Sequence, residues 1–414
     1  MTNEPASPAS GMVGYCTNVH AGMTLDEVKA NLEKYATAVR ERVVSDDGQL
    51  GVGLWLSFQT TQELLTAEAK IDFRDWLAER HLAPYTVNGF PFGNFHQSVV
   101  KREVYQPTWA DSERLEYTCR LADIQSVLFA GQRSTISTLP LAWPFPQNRT
   151  REFKIGCAHN LIKLTEHLVR VQDQTGKRIV ICIEPEPGCL FDTATGLVDY
   201  FEEFLFANCD AASEANVRRH IGVCHDICHS AVMFESQETA LSTYVNAGVE
   251  VAKVQVSSAI EADFRELETI QRIELLERLQ QFAEPRYMHQ TSVKSFDEGE
   301  IGDAIHGSRD AGCLGKVKFF EDLPVAIQMA GDDPRGLWRI HFHVPIFQQY
   351  YGLIGSTQSD ISSFLDSMKR LQLKPDLEIE TYAWNVLPAS LQEKTLDQSL
   401  AREIEWFQKT VTAE

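Results

Sequence analysis

The chain is short of positive charge. It carries 38 Lys and Arg against 58 Asp and Glu, a formal net charge of −20, and a surface of that sign repels a phosphate backbone. Nucleic acid is therefore not an expected partner, while a small molecule or a basic protein is compatible. Long apolar runs are missing too: none approaches the roughly 18 residues that a membrane span needs. The opening MTNEPASPAS lacks the basic and apolar regions of a secretory leader, and residues 1–10 are expected to be disordered. The nine cysteines include no Cys-x-x-Cys pair, and several sit in apolar runs such as RIVICIEPEP. Reduced, buried thiols in a cytoplasmic protein are the expectation.

What is present is enough apolar residue for a large core: 43% hydrophobic and 23% charged over 414 residues, a balance that argues against disorder. Short β-rich runs alternate with helix-like segments. The runs are MVGYCTNVH, GVGLWLSF, APYTVNGFPF, STISTLPLAW, RIVICIEPEP, IGVCHDICH, VAKVQVSSA, LWRIHFHVPIF and DLEIETYAW. The segment TLDEVKANLEKYATAVRERV opens on a capping Thr24 with acids in its first turn. The segment AHNLIKLTEHLVRVQDQTGK has helical apolar spacing and stops at Gly176. Strands alternating with helices imply a parallel sheet. Eight such units close a (β/α)8 TIM barrel, and the ninth run falls late, between Gln255 and the last strand at Leu377. We expect one elaborated α/β barrel domain over residues 1–414, with residues 256–376 inserted between the seventh and eighth barrel strands and carrying extra strands or hairpins.

A barrel of this kind works at the C-terminal ends of its strands, and those ends are polar here. They present Asn18 and His20, Asn88, Thr138, Glu184 and Glu186, Asp226 and His229, Gln255, His341 and His343, and Glu378 and Glu380. Carboxylates and imidazoles ending apolar strands are costly unless they meet a metal, one another or a substrate. Along GVCHDICHSA the two-residue alternation puts Cys224 and Asp226 on one face and His225 on the other. Asp226 is thus the first-choice ligand, His229 a second ligand or a partner behind it, and His225 a structural histidine facing the helices. A hydrogen-bonded polar cap on the strand, with no metal, remains the plain alternative for that stretch.

Glu184 is favoured over Glu186 because it directly follows the apolar run; Glu380 is favoured over Glu378 as the later residue. With Gln255, whose amide oxygen suits a hard cation, these make a site for Mn²⁺, Mg²⁺ or Zn²⁺ rather than a thiolate centre. His20 is expected to contact substrate. Asn18, Asn88, Phe90 and Thr138 are expected to shape the pocket, Phe90 from the aromatic-rich VNGFPFGNFH, which reads equally as a turn with buried rings. His341 and His343 alternate on one face of HFHVP, and His289 stands in YMHQTS. These three, with His229, His20, Glu186 and Glu378, are open as second-metal ligands or substrate contacts, and the histidines of HFHVP also as plain structure.

A glutamate ending one strand, D-x-x-H ending the next, Gln or His on the following one and a glutamate on the last resembles the xylose isomerase-like TIM barrels. Glu184, Asp226 with His229, Gln255 and Glu380 fall in that order. The segments GYCTNVHAG, VNGFPFGNFH, STLPLAW, IEPEPGC, HFHVP and LEIETYAWNVLP resemble the EboE-type metabolite traffic proteins of that superfamily nearly end to end. The resemblance implies a small metabolite made or moved by proteins of one gene cluster, and a homodimer is compatible with it. Asn88 and Thr138 stand where endonuclease IV has histidines, which argues against that enzyme's three-metal site.

The expected activity is a metal-dependent isomerase or epimerase of a sugar, cyclitol or related polyol. Glu184 and Glu380 would exchange the proton, and an enediolate would be stabilised electrostatically. The alternatives are a two-metal hydrolase using His341 and His343, and a non-catalytic metabolite-binding protein.

Overall fold

Eight parallel strands close a barrel in which each strand pairs with its neighbours in chain order. They are β1 (Gly14–Cys16), β2 (Leu50–Trp55), β3 (Leu82–Asn88), β4 (Arg133–Thr138), β5 (Arg178–Ile183), β6 (Ile221–Asp226), β7 (Val251–Val256) and a last strand, Asp376–Ile379, which closes the ring between β7 and β1. The structure, a computed structural model, describes residues 13–45, 47–296, 315–388, 392 and 395–413. Residues 1–10, expected to be disordered, lie outside them. No helix among the described residues is long and apolar enough to cross a membrane, and the described cysteines are free thiols.

The barrel strands are buried on both faces, as a parallel sheet under helices requires. Helices begin where the sequence supplies caps. Thr24 accepts a hydrogen bond from the Glu27 backbone N–H while Glu27 reaches back, a reciprocal cap of about 1 kcal/mol for the helix that starts at Leu25. The long helix Arg151–Thr175 ends at Gly176, whose φ of 72° is the left-handed conformation that glycine adopts without strain.

Inside the barrel a charged pair sits far from water. Lys253 Nζ lies 2.7 Å from Glu378 Oε2, and neither side chain is exposed. Nζ also donates to the Val87 carbonyl at 3.3 Å and the Ser137 hydroxyl at 3.4 Å, so its three protons have three acceptors. The carboxylate needs room, and Gly53 leaves it: a Cβ there would stand 1.2 Å from Glu378 Oε1.

Between β7 and the last barrel strand the chain builds a second sheet. It contains β8 (Ile260–Asp263), β9 (Thr291–Ser295), β10 (Lys316–Phe320), β11 (Leu337–Ile340), β12 (Tyr350–Tyr351) and β13 (Ile354–Ser356), in the order β10-β9-β11-β8-β13-β12 with antiparallel pairing. The closing barrel strand is therefore β14 (Asp376–Ile379). The added sheet has its own core, including Phe264, Leu275, Leu279, Trp338, Ile340 and Phe342. The run LWRIHFHVPIF, read as one strand, is paired only as far as Ile340. His341 onward leaves the sheet, and the Val344 N–H donates to the Ser258 carbonyl at 3.0 Å just beyond β7. That course carries His341 and His343 over the barrel mouth.

Candidate metal centre at the barrel mouth

The junction from β6 into the helix Ile227–Val232 sets the first residue of the centre. Asp226 caps that helix: its Oδ1 accepts from the His229 N–H at 3.0 Å and from the Ser257 hydroxyl at 2.7 Å. Its other oxygen, Oδ2, has no hydrogen-bond partner although Asp226 is 2% exposed. Capping thus fixes the side chain and turns one lone-pair-bearing oxygen inward. Cys224, on the same face, packs with Val180 and Cys182. His225 points the other way, bonded to Gln237 at 2.7 Å and stacked on Phe364.

Glu184 and Glu380 meet Asp226 from β5 and β14. One oxygen of each lies within 4.8 Å of the others. Glu380 Oε1 accepts from Asn18 Nδ2 at 2.7 Å and Asn88 Nδ2 at 3.1 Å. Burial, then the Glu380 and Asp226 charges, push the Glu184 carboxyl well above the usual range. Burial, then Asp226 and Glu378, do the same to Glu380. Burial works to raise Asp226 as well, but His229, His343 and the Ser257 hydroxyl outweigh it and hold that carboxyl low. On β7, level with Asp226 and Glu378, Gln255 is fully buried with both amide atoms unpartnered.

Three imidazoles stand beside the carboxylates, and each has one nitrogen committed. His229 Nδ1 faces the Pro185 carbonyl at 2.8 Å, His343 Nδ1 the Glu380 carbonyl at 3.0 Å, and His341 Nδ1 the Gln290 Oε1 at 2.8 Å. A carbonyl oxygen only accepts, so each Nδ1 carries a proton, and in the neutral ring Nε2 then holds a lone pair. These lone pairs converge. The Nε2 atoms of His229 and His341 are 3.1 Å apart, and those of His229 and His343 are 3.6 and 3.7 Å from Asp226 Oδ2. Burial lowers His341 far below the ordinary imidazole value and takes His343 to about 4, which keeps both neutral and able to ligate.

The donor set fits a divalent cation. Crowded carboxylates, an orphaned amide and bare lone pairs at 3.1 Å repel one another or lack partners until a cation shares them. Backbone and amide acceptors orienting the imidazoles from behind are the usual support of a metal site.

Above this floor is a cavity of about 590 Å³ including its mouth. Asn18, Asn88, Phe90, Glu184, Glu186, His229, His341, His343 and Glu380 line it. Glu186, raised by burial, accepts from the Tyr105 hydroxyl at 2.9 Å; Gln290 Nε2 donates to that hydroxyl at 3.3 Å.

Four expectations are corrected. His20 does not reach the cavity: the tight turn Thr17–Val19 rotates it outward, where its Nε2 meets the Tyr15 hydroxyl at 2.9 Å and its ring stacks on Tyr35 at 4.7 Å. His289 stands behind the mouth, with Nδ1 on the His341 carbonyl at 3.1 Å and Nε2 on Glu284 at 3.0 Å. Thr138 is closed off because its hydroxyl accepts from Trp109 Nε1 at 3.1 Å. Glu378 is taken by Lys253.

Sequence reading passed over Ser257, Gln290 and Tyr105, which orient Asp226, His341 and Glu186. Ser257 and Gln290 lie inside quoted motifs, beside residues that were singled out, but nothing local marks which way a hydroxyl or amide will point. Of the apolar lining it singled out only Phe90, from VNGFPFGNFH, and passed over Phe95, Val100, Val104, Tyr287 and Met288.

No family model matches the chain, and no curated protein matches it. The EboE-type resemblance is thus carried by the quoted segments alone. Solved structures similar to the chain include an L-ribulose 3-epimerase, at 10% identity over 97% of this chain and 94% of the other, with a TM-score of 0.47. A xylose isomerase-like TIM barrel protein from Mycobacterium smegmatis in complex with magnesium is 11% identical over 99% of both chains, with a TM-score of 0.48. The IOLI protein with a bound zinc atom is 10% identical over 97% of this chain and 98% of the other, with a TM-score of 0.44. The barrel assignment rests on the strand order itself.

Proposed function

We propose that the protein is a metal-dependent isomerase or epimerase of a small polyol-like metabolite, acting in the cytoplasm in an EboE-type metabolite pathway. The observation that carries this reading is the convergence of Glu184, Asp226 and Glu380 at the barrel mouth, with the unpartnered amide of Gln255 on β7 in register with Asp226. These four residues would hold one Mn²⁺, Zn²⁺ or Mg²⁺ ion. When bound, the ion supplies electrostatic stabilisation of negative charge developing on a substrate oxygen. Glu184 and Glu380 approach from β5 and β14 and exchange the proton. A carboxyl raised by burial takes up and returns a proton nearer neutrality than an ordinary one does. Asn18 and Asn88 hold Glu380 Oε1, leaving Oε2 for that transfer. His229, His341 and Glu186 present hydrogen-bonding groups to the substrate's hydroxyls.

A second reading, hydrolysis with two ions, is favoured by one observation. The Nε2 atoms of His229 and His343 lie beside Asp226 Oδ2, and His229 also groups with His341 and Glu186, which supplies donors for a second cation.

The experiment is elemental analysis of the purified protein with Asp226→Ala and His341→Ala, followed by proton exchange of sugars and cyclitols in heavy water. About one ion per chain, lost in Asp226→Ala and kept in His341→Ala, is the expected result. Two ions, one of them lost with His341, move the assignment to hydrolysis. No ion, and none taken up from added Mn²⁺ or Zn²⁺, sinks both and leaves a metabolite-binding protein.

A further inference from the structure

The cavity's carboxylates and imidazoles gather at its floor, and Lys101, Tyr105, Gln290 and Tyr382 are among its other polar lining residues. Its wall is Phe90, Phe95, Val100, Val104, Tyr287 and Met288, and these come from two parts of the chain, the segment after β3 and the segment before β9. The two are joined by backbone bonds: the Val100 and Lys101 N–H groups donate to the Arg286 carbonyl at 2.8 and 3.0 Å, and the Tyr287 hydroxyl donates to the Phe95 carbonyl at 3.3 Å. Trp55 packs behind Phe95, Val100 and Tyr287. The wall is therefore a built surface held in place, and the Tyr287 hydroxyl is committed to the Phe95 carbonyl.

The charge pattern narrows the ligand further. Lys101 is the one Lys or Arg among the described lining residues, and Asp322 Oδ2 holds its Nζ at 2.6 Å. The other charged lining groups are carboxylates. Beyond an ion held at the floor, a phosphate would meet no unpaired Lys or Arg among the described lining residues, and its charge would face Glu186. A free polyol fails for a different reason: hydroxyls on its far side would lie unpaired against hydrocarbon.

We propose that the ligand is an uncharged amphiphile, with a hydroxylated head on the polar floor and an apolar substituent of several carbons along the Phe90–Val104 and Tyr287–Met288 wall. This deepens the function proposed above and rests on its reading of the floor as the seat of the substrate's oxygens. The head gives orientation by chelation and hydrogen bonding, and the substituent gives affinity without any charge.

The test is calorimetric titration of the Mn²⁺-supplemented protein with two neutral glycosides that share a head, methyl β-D-glucopyranoside and n-hexyl β-D-glucopyranoside. Each methylene removed from water multiplies affinity by about fourfold, so the hexyl compound is expected to bind at least tenfold more tightly. Val104→Asp, checked for an unchanged thermal midpoint, is expected to bring the two within twofold. Val104→Ser, the milder change, should reduce the ratio in the same direction. Equal binding of the two glycosides, or binding of neither, overturns the proposal. Glu184→Gln separates the two readings. A tail preference that persists there, in a protein whose wild type neither holds metal nor exchanges protons, would keep the amphiphile and remove the isomerase. Metal uptake with no tail preference would do the reverse.

Discussion

His20→Gln distinguishes the site drawn by the structure from the one drawn by strand ends alone. His20 is 5% exposed, and burial, then His96 and Lys34, lower its imidazole from 6.5 to about 3. It is thus neutral when folded at every ordinary pH, while the unfolded chain protonates it near 6.5. A group lowered on folding contributes stability above its unfolded value, and that stability is lost as pH falls toward the folded value. Between pH 8 and pH 5 the linkage amounts to about 2 kcal/mol, rising to about 3 kcal/mol at pH 4. Glutamine cannot titrate, yet it offers the Tyr15 hydroxyl an amide partner in the place of Nε2. The assay is urea unfolding of both proteins at pH 8 and pH 5, with metal content measured alongside. Wild type is expected to lose about 2 kcal/mol more than His20→Gln between the two pH values. Other histidines titrate in both proteins and cancel in the difference. Equal losses would refute the buried, neutral placement of His20. Loss of metal in His20→Gln would refute its exclusion from the centre.

Two further outcomes follow from the barrel interior. Lys253→Met strands the Glu378 carboxylate in a site without water and should cost about 3–5 kcal/mol in chemical unfolding, while Lys253→Met with Glu378→Leu should recover most of it; a double variant as unstable as the single one would show that the pair is not the source. Gly53→Ala drives a Cβ into Glu378 Oε1 and should lower stability by about 1–3 kcal/mol or more; an unchanged unfolding midpoint would mean that Glu378 does not occupy that space.

Much of the barrel was legible because the information is local. A parallel strand under helices must be apolar on both faces, and a two-residue period decides which side chains share a face. Apolar runs interleaved with capped helices therefore implied the barrel, and the D-I-C-H step already contained both the cap and the inward carboxylate of Asp226. Glu184 and Glu380 could be singled out for the same reason: each follows an apolar strand and has nowhere to go but the mouth. The three carboxylates do converge within 4.8 Å.

The residues misplaced by that reasoning are those at which the strand stops. At His20 the chain has already entered a tight turn, so alternation no longer predicts the side chain's direction. Glu378 and Glu380 share a face, but depth along the strand separates them: one step lower, Lys253 and the gap left by Gly53 claim Glu378. Thr138 was drawn away by Trp109 and His289 by the His341 carbonyl, partners 29 and 52 residues distant in sequence.

The sequence by itself determined the parallel barrel, the polar character of its mouth and the inward aspect of Asp226, since each depends on neighbours a few residues away. Only the tertiary structure decided that His341 and His343 hang over that mouth from an added sheet, that their Nε2 atoms and that of His229 are left bare, and that two segments some 190 residues apart (Phe95 and Tyr287) join into an apolar wall. Those arrangements depend on register, closure and the path of a chain between its strands, and no periodicity within one segment encodes them.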